Sequence, residues 1–319
     1  MIYDVFNGDA DGIIALLQLH LSTPCESVKI TGVKRDIELL EQVSAAAGDK
    51  VRVFDISMEK NKPALERLLA AGAEVFYVDH HKAGEIPANS TLDAHINLDA
   101  DTCTSLILSD LLDRRFHLWA ITAAYGDNLI ARADREAEQL GLSEGQKQVL
   151  KELGTYINYN GYGSCIDDLH YPPLELFEIL LAYSSPFDVI AAPGSVFHKL
   201  KSAYESDIAL AAQAEVIHED GASKVVMLDD QAWARRVSGV YGNLLANQSP
   251  ELAHAIVTNN NSGTYTVSVR APLTNKQGAV DVCGQFATGG GRAGAAGINE
   301  LPLESLSKFI QVFSSFYNS

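Results

Sequence analysis

Short apolar runs and stretches of helical period alternate along the first eighty residues of this chain. Residues 2–6, Ile-Tyr-Asp-Val-Phe, read as a strand, and a tight acidic turn separates them from an apolar helix over 13–21. A strand over 28–33 comes next. Ile37, Leu39, Leu40 and Val43 recur at helical spacing, which predicts a helix over about 37–47, with Gly48 suited to its C-terminal cap. A strand over 51–56, a helix that starts near Pro63 and ends at Gly72, and a strand over 74–79 complete the series. This alternation predicts a parallel sheet covered on both faces.

From about 102 to 183 the pattern turns mainly helical. Thr102-Cys103-Thr104-Ser105 offers capping hydroxyls before the run Leu106 to Leu112. Asp127 lies at the end of the apolar stretch Phe116 to Tyr125. Pro172-Pro173, Pro186 and Pro193-Gly194 mark breaks, and the domain boundary is placed near 190. The expected organisation is α/β: a parallel-sheet domain over 1–190, then a smaller α/β domain over 191–319, joined by a helical linker at about 197–219. In the second domain Val225–Leu228, Ala255–Thr258 and Tyr265–Val269 read as strands, and helices fit at about 239–247 and 303–316. The apolar face of 303–316 has two uses open to it, internal packing or a second subunit in a homodimer. Between these helices lies the glycine-rich run 288–297, read as a loop.

Composition narrows the function. The 319 residues are 47% hydrophobic and 20% charged, as in soluble globular proteins. A formal net charge of −17 argues against a grip on long DNA or RNA, which needs a broad basic surface. A short nucleotide held by a few arginines and metal ions remains compatible with it. Cys25, Cys103, Cys165 and Cys283 show no paired spacing, so zinc and dithiol chemistry are not indicated and buried free thiols in a reducing compartment are expected. The run Ile13 to Leu17 is too short for a signal core or a membrane span, so no membrane partner is expected and the cytoplasm is the default location.

Four separated acidic stretches carry the candidate chemistry. They are Asn7-Gly8-Asp9-Ala10-Asp11-Gly12, Asp55, Asp79-His80-His81 and Asp127. The first three follow predicted strands, whose carboxyl ends line the ligand-binding edge of a parallel sheet. Carboxylates and a histidine converging there call for a cation, and two cations would make a phosphoester-cleaving centre. Taken singly, the first stretch reads equally well as a turn with Asp11 capping the next helix. It fails as a calcium loop, because the twelfth position is Gln18 rather than Glu. Adjacent histidines at a strand end point to opposite sides of the chain, so one can ligate a metal while the other faces a substrate. Asp55 and Asp127 mean little alone. Gly289, Gly291 and Gly294 form a GxGxxG, but the dinucleotide reading wants an acid roughly twenty residues on, where Ser314 stands. A glycine run still lets backbone N–H groups approach phosphate, and Arg292 and Arg270 offer guanidinium groups beside it.

Read together and in order, these motifs resemble the DHH phosphoesterase superfamily over nearly the whole chain. Asp9 and Asp11 match its first motif, Asp55 its second, Asp79-His80-His81 its third and Asp127 its fourth. The C-terminal third resembles the DHH-associated domain of the first type, with Arg270 and the glycine run where that domain binds substrate. There are departures. Val5 stands where many small-substrate members carry a histidine ligand, Asn7 where the single-strand exonuclease branch has Asp, and Arg292 where the glycine run usually continues to His.

The resemblance implies two Mn²⁺ or Mg²⁺ ions. Asp9 and Asp55 would hold one, with Asn7 as a further candidate ligand; Asp11, Asp55, His80 and Asp127 would hold the other. His81 would contact the attacked phosphate or protonate the leaving oxygen, and Asp79 would orient a histidine. Arg270, Arg292 and the amides of Gly289, Gly290 and Gly291 would hold the distal phosphate or base across an interdomain cleft. The expected activity is hydrolysis of linear dinucleotides such as pGpG, or of very short RNA. Alternatives are a cyclic-dinucleotide or 3′-phosphonucleotide phosphoesterase, a processive single-strand exonuclease, and a non-catalytic nucleotide sensor.

Overall fold

The computed structural model of the chain describes residues 1–260 and 263–318. They form two compact units, Met1–Ser202 and Ala203–Ser319. In the first unit the chain runs β1 (Ile2–Phe6), α1 (Ala10–Ser22), β2 (Val28–Ile30), β3 (Lys50–Phe54), α2 (Lys62–Ala70), β4 (Glu74–Asp79) and β5 (Leu92–Ile96). Helices follow: α3 (Thr104–Leu111), α4 (His117–Gly126), α5 (Ile130–Gln139), α6 (Glu144–Asn160), α7 (Pro173–Leu181), α8 (Pro186–Ala191) and α9 (Val196–Ala211), the last crossing into the second unit.

The five strands form a wholly parallel sheet in the order β2-β1-β3-β4-β5. The chain leaves β1 for β2 on one side and returns to β3 on the other, so the switch point falls between the carboxyl ends of β1 and β3. Ligands of open α/β sheets bind at such a point. One face of the sheet packs Val5, Val51, Val53, Val75 and Tyr77 against Leu65, Leu68 and Leu69 of α2. A buried ionic network also ties the sheet to α1. Asp4 of β1 accepts two hydrogen bonds from the Arg52 guanidinium, at 2.6 and 2.8 Å, and lies 2.7 Å from His20 Nε2.

The expected helix over 37–47 is reduced to one short 3-10 turn, Leu39–Gln42. Leu39, Leu40 and Val43 are buried as the spacing required, whereas Ile37 is exposed, and tertiary partners satisfy the segment's backbone instead of helical ones. Arg67 donates to the carbonyls of Leu40 and Val43, and Asn61 bonds both the Leu40 N–H and the Ile37 carbonyl. Edge strand β5 was not expected, since Asp93 and His95 interrupt its apolar pattern.

The second unit holds β6 (Glu215–Glu219), β7 (Ser223–Leu228), α10 (Ala232–Gln248), β8 (Ala253–Asn259), β9 (Thr264–Arg270), α11 (Ala279–Cys283), β10 (Gly289–Gly291), β11 (Ala295–Pro302) and α12 (Leu306–Tyr317). Its mixed sheet runs β10-β11-β9-β8-β7-β6. Two expectations need correction here. The linker helix ends at Ala211 rather than near 219, because 215–219 pairs with β7 as an edge strand. The glycine run is a hairpin rather than a loop, since Gly289–Gly291 pairs antiparallel with β11. A Cβ on Gly291, whose φ is 141°, would stand 2.7 Å from that of Ala296, so the pairing needs glycine there. Phe309 and Phe313 of α12 pack into this unit's core, which gives its apolar face an internal use.

All four cysteines are free. Cys103 and Cys283 are buried as expected, but Cys165 is exposed and Cys25 partly so, both lying in segments between regular elements. Among the described residues no helix is long and apolar enough to cross a membrane.

Candidate metal centre

Each predicted acidic group is delivered by a different local device. After β1 the chain turns so that Asp9 caps α1, its Oδ1 accepting from the N–H groups of Asp11 and Gly12 at 3.0 and 3.1 Å. Gly12 makes the turn possible, since a Cβ there would lie 2.7 Å from the Asn7 nitrogen. Asp11 reaches the start of α3, accepting from the N–H groups of Thr104 and Ser105 at 2.7 and 2.8 Å. Two donors at a helix N-terminus hold this carboxylate in one orientation. Asp55 follows β3 with φ at 59°, an uncommon conformation for a residue with a side chain. Its Oδ1 accepts from the Thr104 hydroxyl at 3.1 Å. Asp127 is the C-cap of α4. Gly126 lets that helix end come close, since a Cβ on it would stand 2.7 Å from that of Ala10 and 2.8 Å from the Gly154 carbonyl.

His80 stands at the middle of the group. Its Nδ1 lies 3.0 Å from the Thr102 carbonyl, which can only accept, so Nδ1 carries a proton. Nε2 then faces three carboxylates: Asp55 Oδ1 at 3.4 Å, Asp11 Oδ2 at 3.9 Å and Asp127 Oδ2 at 3.9 Å. His81 does not point to the opposite side as expected: its ring centre lies 4.5 Å from that of His80, with Nδ1 2.8 Å from Asp79 Oδ1 and 3.7 Å from Asp55 Oδ1. Asp55, His80 and His81 each offer a ligand atom, all within 4.8 Å of one another. The other oxygen of Asp79 is buried without a hydrogen-bond partner.

The electrostatics are those of a centre built around a cation. Burial first, and then the charges of Asp9 and Asp11, push the Asp55 carboxyl up to about 7. Burial pulls His80 down, but its bond to Asp55 and the charges of Asp127, Asp55 and Asp11 outweigh that and raise it to about 10. Without a metal, the imidazolium therefore supplies positive charge that the carboxylates demand. Loss of that proton turns Nε2 into a lone pair aimed at three oxygens, a donor set that suits Mn²⁺ or Mg²⁺. Burial opposes ionisation of Asp9 as well, yet the Lys34 ammonium beside it brings its carboxyl down to about 2.

The structure therefore brings Asp9, Asp11, Asp55, Asp79, His80, His81 and Asp127 together at one edge of the sheet. Asn7 is beside them, its Oδ1 accepting from Asp9 N–H and its Nδ2 donating to the Lys34 carbonyl. Sequence reasoning missed Lys34, Asn158, the Thr102 carbonyl and the Thr104 hydroxyl. Lys34-Arg35 is a basic doublet shortly after β2 in an acidic chain, which was a usable signal. In the second unit Arg270 lies opposite Ala295, whose carbonyl receives the Arg292 N–H at 2.8 Å, so both arginines reach the same end of that sheet. The Arg270 guanidinium is fixed by Asn243 Oδ1 at 2.5 Å and the Gly239 carbonyl at 3.2 Å.

No family model and no curated protein matches the sequence. Solved structures do match. Exonuclease RecJ bound to manganese shares 16% identity, with 99% of this chain and 90% of that one covered at a TM-score of 0.63. RecJ from Thermus thermophilus in complex with Mn²⁺ shares 16% identity at a TM-score of 0.61, and this chain spans 52% of it. The pGpG-specific phosphodiesterase PggH from Vibrio cholerae shares 12% identity at a TM-score of 0.54, with 100% of this chain and 99% of that one covered. The fold is thus shared with these enzymes along the whole chain, and the resemblance to the DHH phosphoesterase superfamily holds at the level of fold.

Proposed function

We propose that this protein is a divalent-metal-dependent phosphodiesterase that hydrolyses very short nucleotides, linear dinucleotides such as pGpG or very short RNA, to mononucleotides. The observation that carries this reading is His80, with Nδ1 pinned to a carbonyl and Nε2 facing Asp11, Asp55 and Asp127. Those four residues would hold an Mn²⁺ or Mg²⁺ ion, the ions bound in the RecJ structures of the same fold. Asp9, with Asn7, lies where the family resemblance would put a second ion. Bound metal supplies charge for the phosphoryl oxygens and makes water a stronger nucleophile at neutral pH.

The chain's own residues do the rest. The Thr104 hydroxyl and the N–H groups at the start of α3 keep Asp55 and Asp11 in place before substrate arrives. His81, protonated at Nδ1 toward Asp79, presents Nε2 to the phosphate or to the leaving oxygen. Arg270 and Arg292 bind a second phosphate or a base, Arg270 as a guanidinium already fixed by α10. The net charge of −17 supports short substrates over long strands.

The fold likeness to RecJ favours a second reading, processive cleavage of single strands. A comparison of substrate lengths separates the two. Mn²⁺-dependent turnover is measured on oligonucleotides from two residues upward, with His80→Ala as control. Turnover that falls steeply beyond two or three nucleotides supports the dinucleotide reading, equal or faster turnover of long strands supports the exonuclease, and full activity of His80→Ala rules out the centre.

A further inference from the structure

Asp9 has little left to offer a metal ion. Its Oδ1 already accepts two N–H groups from the start of α1, and its Oδ2 is in contact with the Lys34 ammonium. Asn7 brings no carboxylate, and both ends of its amide are engaged by backbone. Val5, four residues before Asp9, brings no ligand atom and is wholly buried.

Lys34 reaches Asp9 from a clamped backbone rather than from a loose surface loop. Its N–H donates to the Gly161 carbonyl at 2.9 Å, and its carbonyl accepts from Asn7 Nδ2 at 3.1 Å. At the far end its ammonium lies 3.3 Å from Asn158 Oδ1 and 5.3 Å from the centre of the Tyr162 ring. Lysine reaches this spot from the segment after β2, and α6 supplies Asn158.

We propose that the Lys34 ammonium takes the place of a second divalent ion beside Asp9, so that the centre works with one metal ion and one fixed lysine. The proposal rests on the metal-centre reading above and deepens it. An ammonium has three donors. Asp9 and Asn158 account for two, and the third is available to an unbridged phosphoryl oxygen. Lysine would then neutralise charge on the phosphate and orient it, as a cation without Lewis acidity. Activation of water would fall to the single ion at Asp11, Asp55, His80 and Asp127.

Metal content per folded chain tests this. Purified protein is loaded with Mn²⁺, desalted and analysed by mass spectrometry of the metal, with titration calorimetry as a second count and circular dichroism to confirm folding. The wild type is expected to hold one ion and His80→Ala none. The double variant Asn7→Asp/Lys34→Ala, which vacates the lysine position and restores a carboxylate, is expected to hold two. Two ions in the wild type overturn the lysine assignment while leaving the metal centre intact. One ion in the folded double variant overturns it as well. No ion in the wild type sinks the metal-centre reading, and the proposal with it. Should the double variant fail to fold, Lys34→Met read alongside the wild-type count decides: the proposal expects its phosphodiesterase rate to fall at least tenfold with the single ion retained, and an unchanged rate overturns it.

Discussion

Replacing Asp55 by Asn should abolish activity and yet make the metal-free protein more stable. Asp55 is 2% exposed, and burial together with Asp9 and Asp11 lifts its carboxyl from 3.8 to about 7. A carboxyl whose pKa is higher in the folded state binds its proton more tightly there. The folded protein therefore loses stability as pH rises from about 4 to about 7, and the full penalty is present above that. At about 1.4 kcal/mol per pH unit, the gap between 3.8 and about 7 sets an upper bound of about 4 kcal/mol. His80 returns part of this, because Asp55 is the partner that most favours its proton. Asn keeps the oxygen that accepts from Thr104, and it tolerates the left-handed backbone of position 55 better than most residues.

A net gain of roughly 1–2 kcal/mol is expected, which for a unit of this size is about 2–8 °C in melting temperature. The assay is thermal unfolding in EDTA at pH 8 and again at pH 4, where the advantage should vanish. Saturating Mn²⁺ should reverse the ranking, since ligand at a hundred times Kd stabilises the wild type by about 2.7 kcal/mol and the variant has lost a ligand. An Asp55→Asn variant that melts below the wild type in EDTA at pH 8 would refute the electrostatic argument, and with it the view that the carboxylates are held together against their own repulsion.

Three further outcomes follow from the same geometry. Thr104→Val removes the hydroxyl that holds Asp55 and should weaken Mn²⁺ binding by roughly 10–100-fold with the fold retained, as read by titration calorimetry. Asp79→Asn lowers the pKa of His81, which its bond to Asp79 and the charge of Asp55 hold above 6.5 against the effect of burial. Activity that needs protonated His81 is lost as pH rises through that pKa, so the alkaline limb of the pH–rate profile should move to lower pH, and an unmoved limb denies His81 the acid role. Gly126→Ala forces a methyl group against Ala10 and the Gly154 carbonyl, and should cost about 1–3 kcal/mol in chemical denaturation while also weakening metal binding through the displaced Asp127.

How much of this was legible in the sequence depends on whether a feature is local. Apolar runs ending in Asp or His showed β1, β3 and β4 and the residues beyond them, because strand, turn and side chain are adjacent in the chain. The helix expected over 37–47 failed for the opposite reason: Arg67 and Asn61, more than twenty residues away, satisfy its backbone. The glycine run looked like a loop because glycine has a low strand propensity, and only its partner strand β11 makes a hairpin of it. Strand order, which sets the switch point between β1 and β3, is also invisible to periodicity.

The same distinction explains what was missed at the centre. Thr104 was visible as a capping hydroxyl of α3, but its second use depends on α3 starting beside Asp11 and Asp55, which lie 93 and 49 residues earlier. Lys34 is a bare basic residue in the chain and acquires meaning only where Asn158 and Gly161, at the end of α6, hold it over Asp9. Ligand carboxylates can be found from sequence because each needs only a strand end to stand on. The groups that orient and neutralise them come from whichever helices the fold brings to that edge, here α3 for Asp11 and Asp55 and the end of α6 for Lys34. An acidic centre read from motifs alone is therefore charged too negatively, because nothing in the motifs shows that the Lys34 ammonium is paired with Asp9.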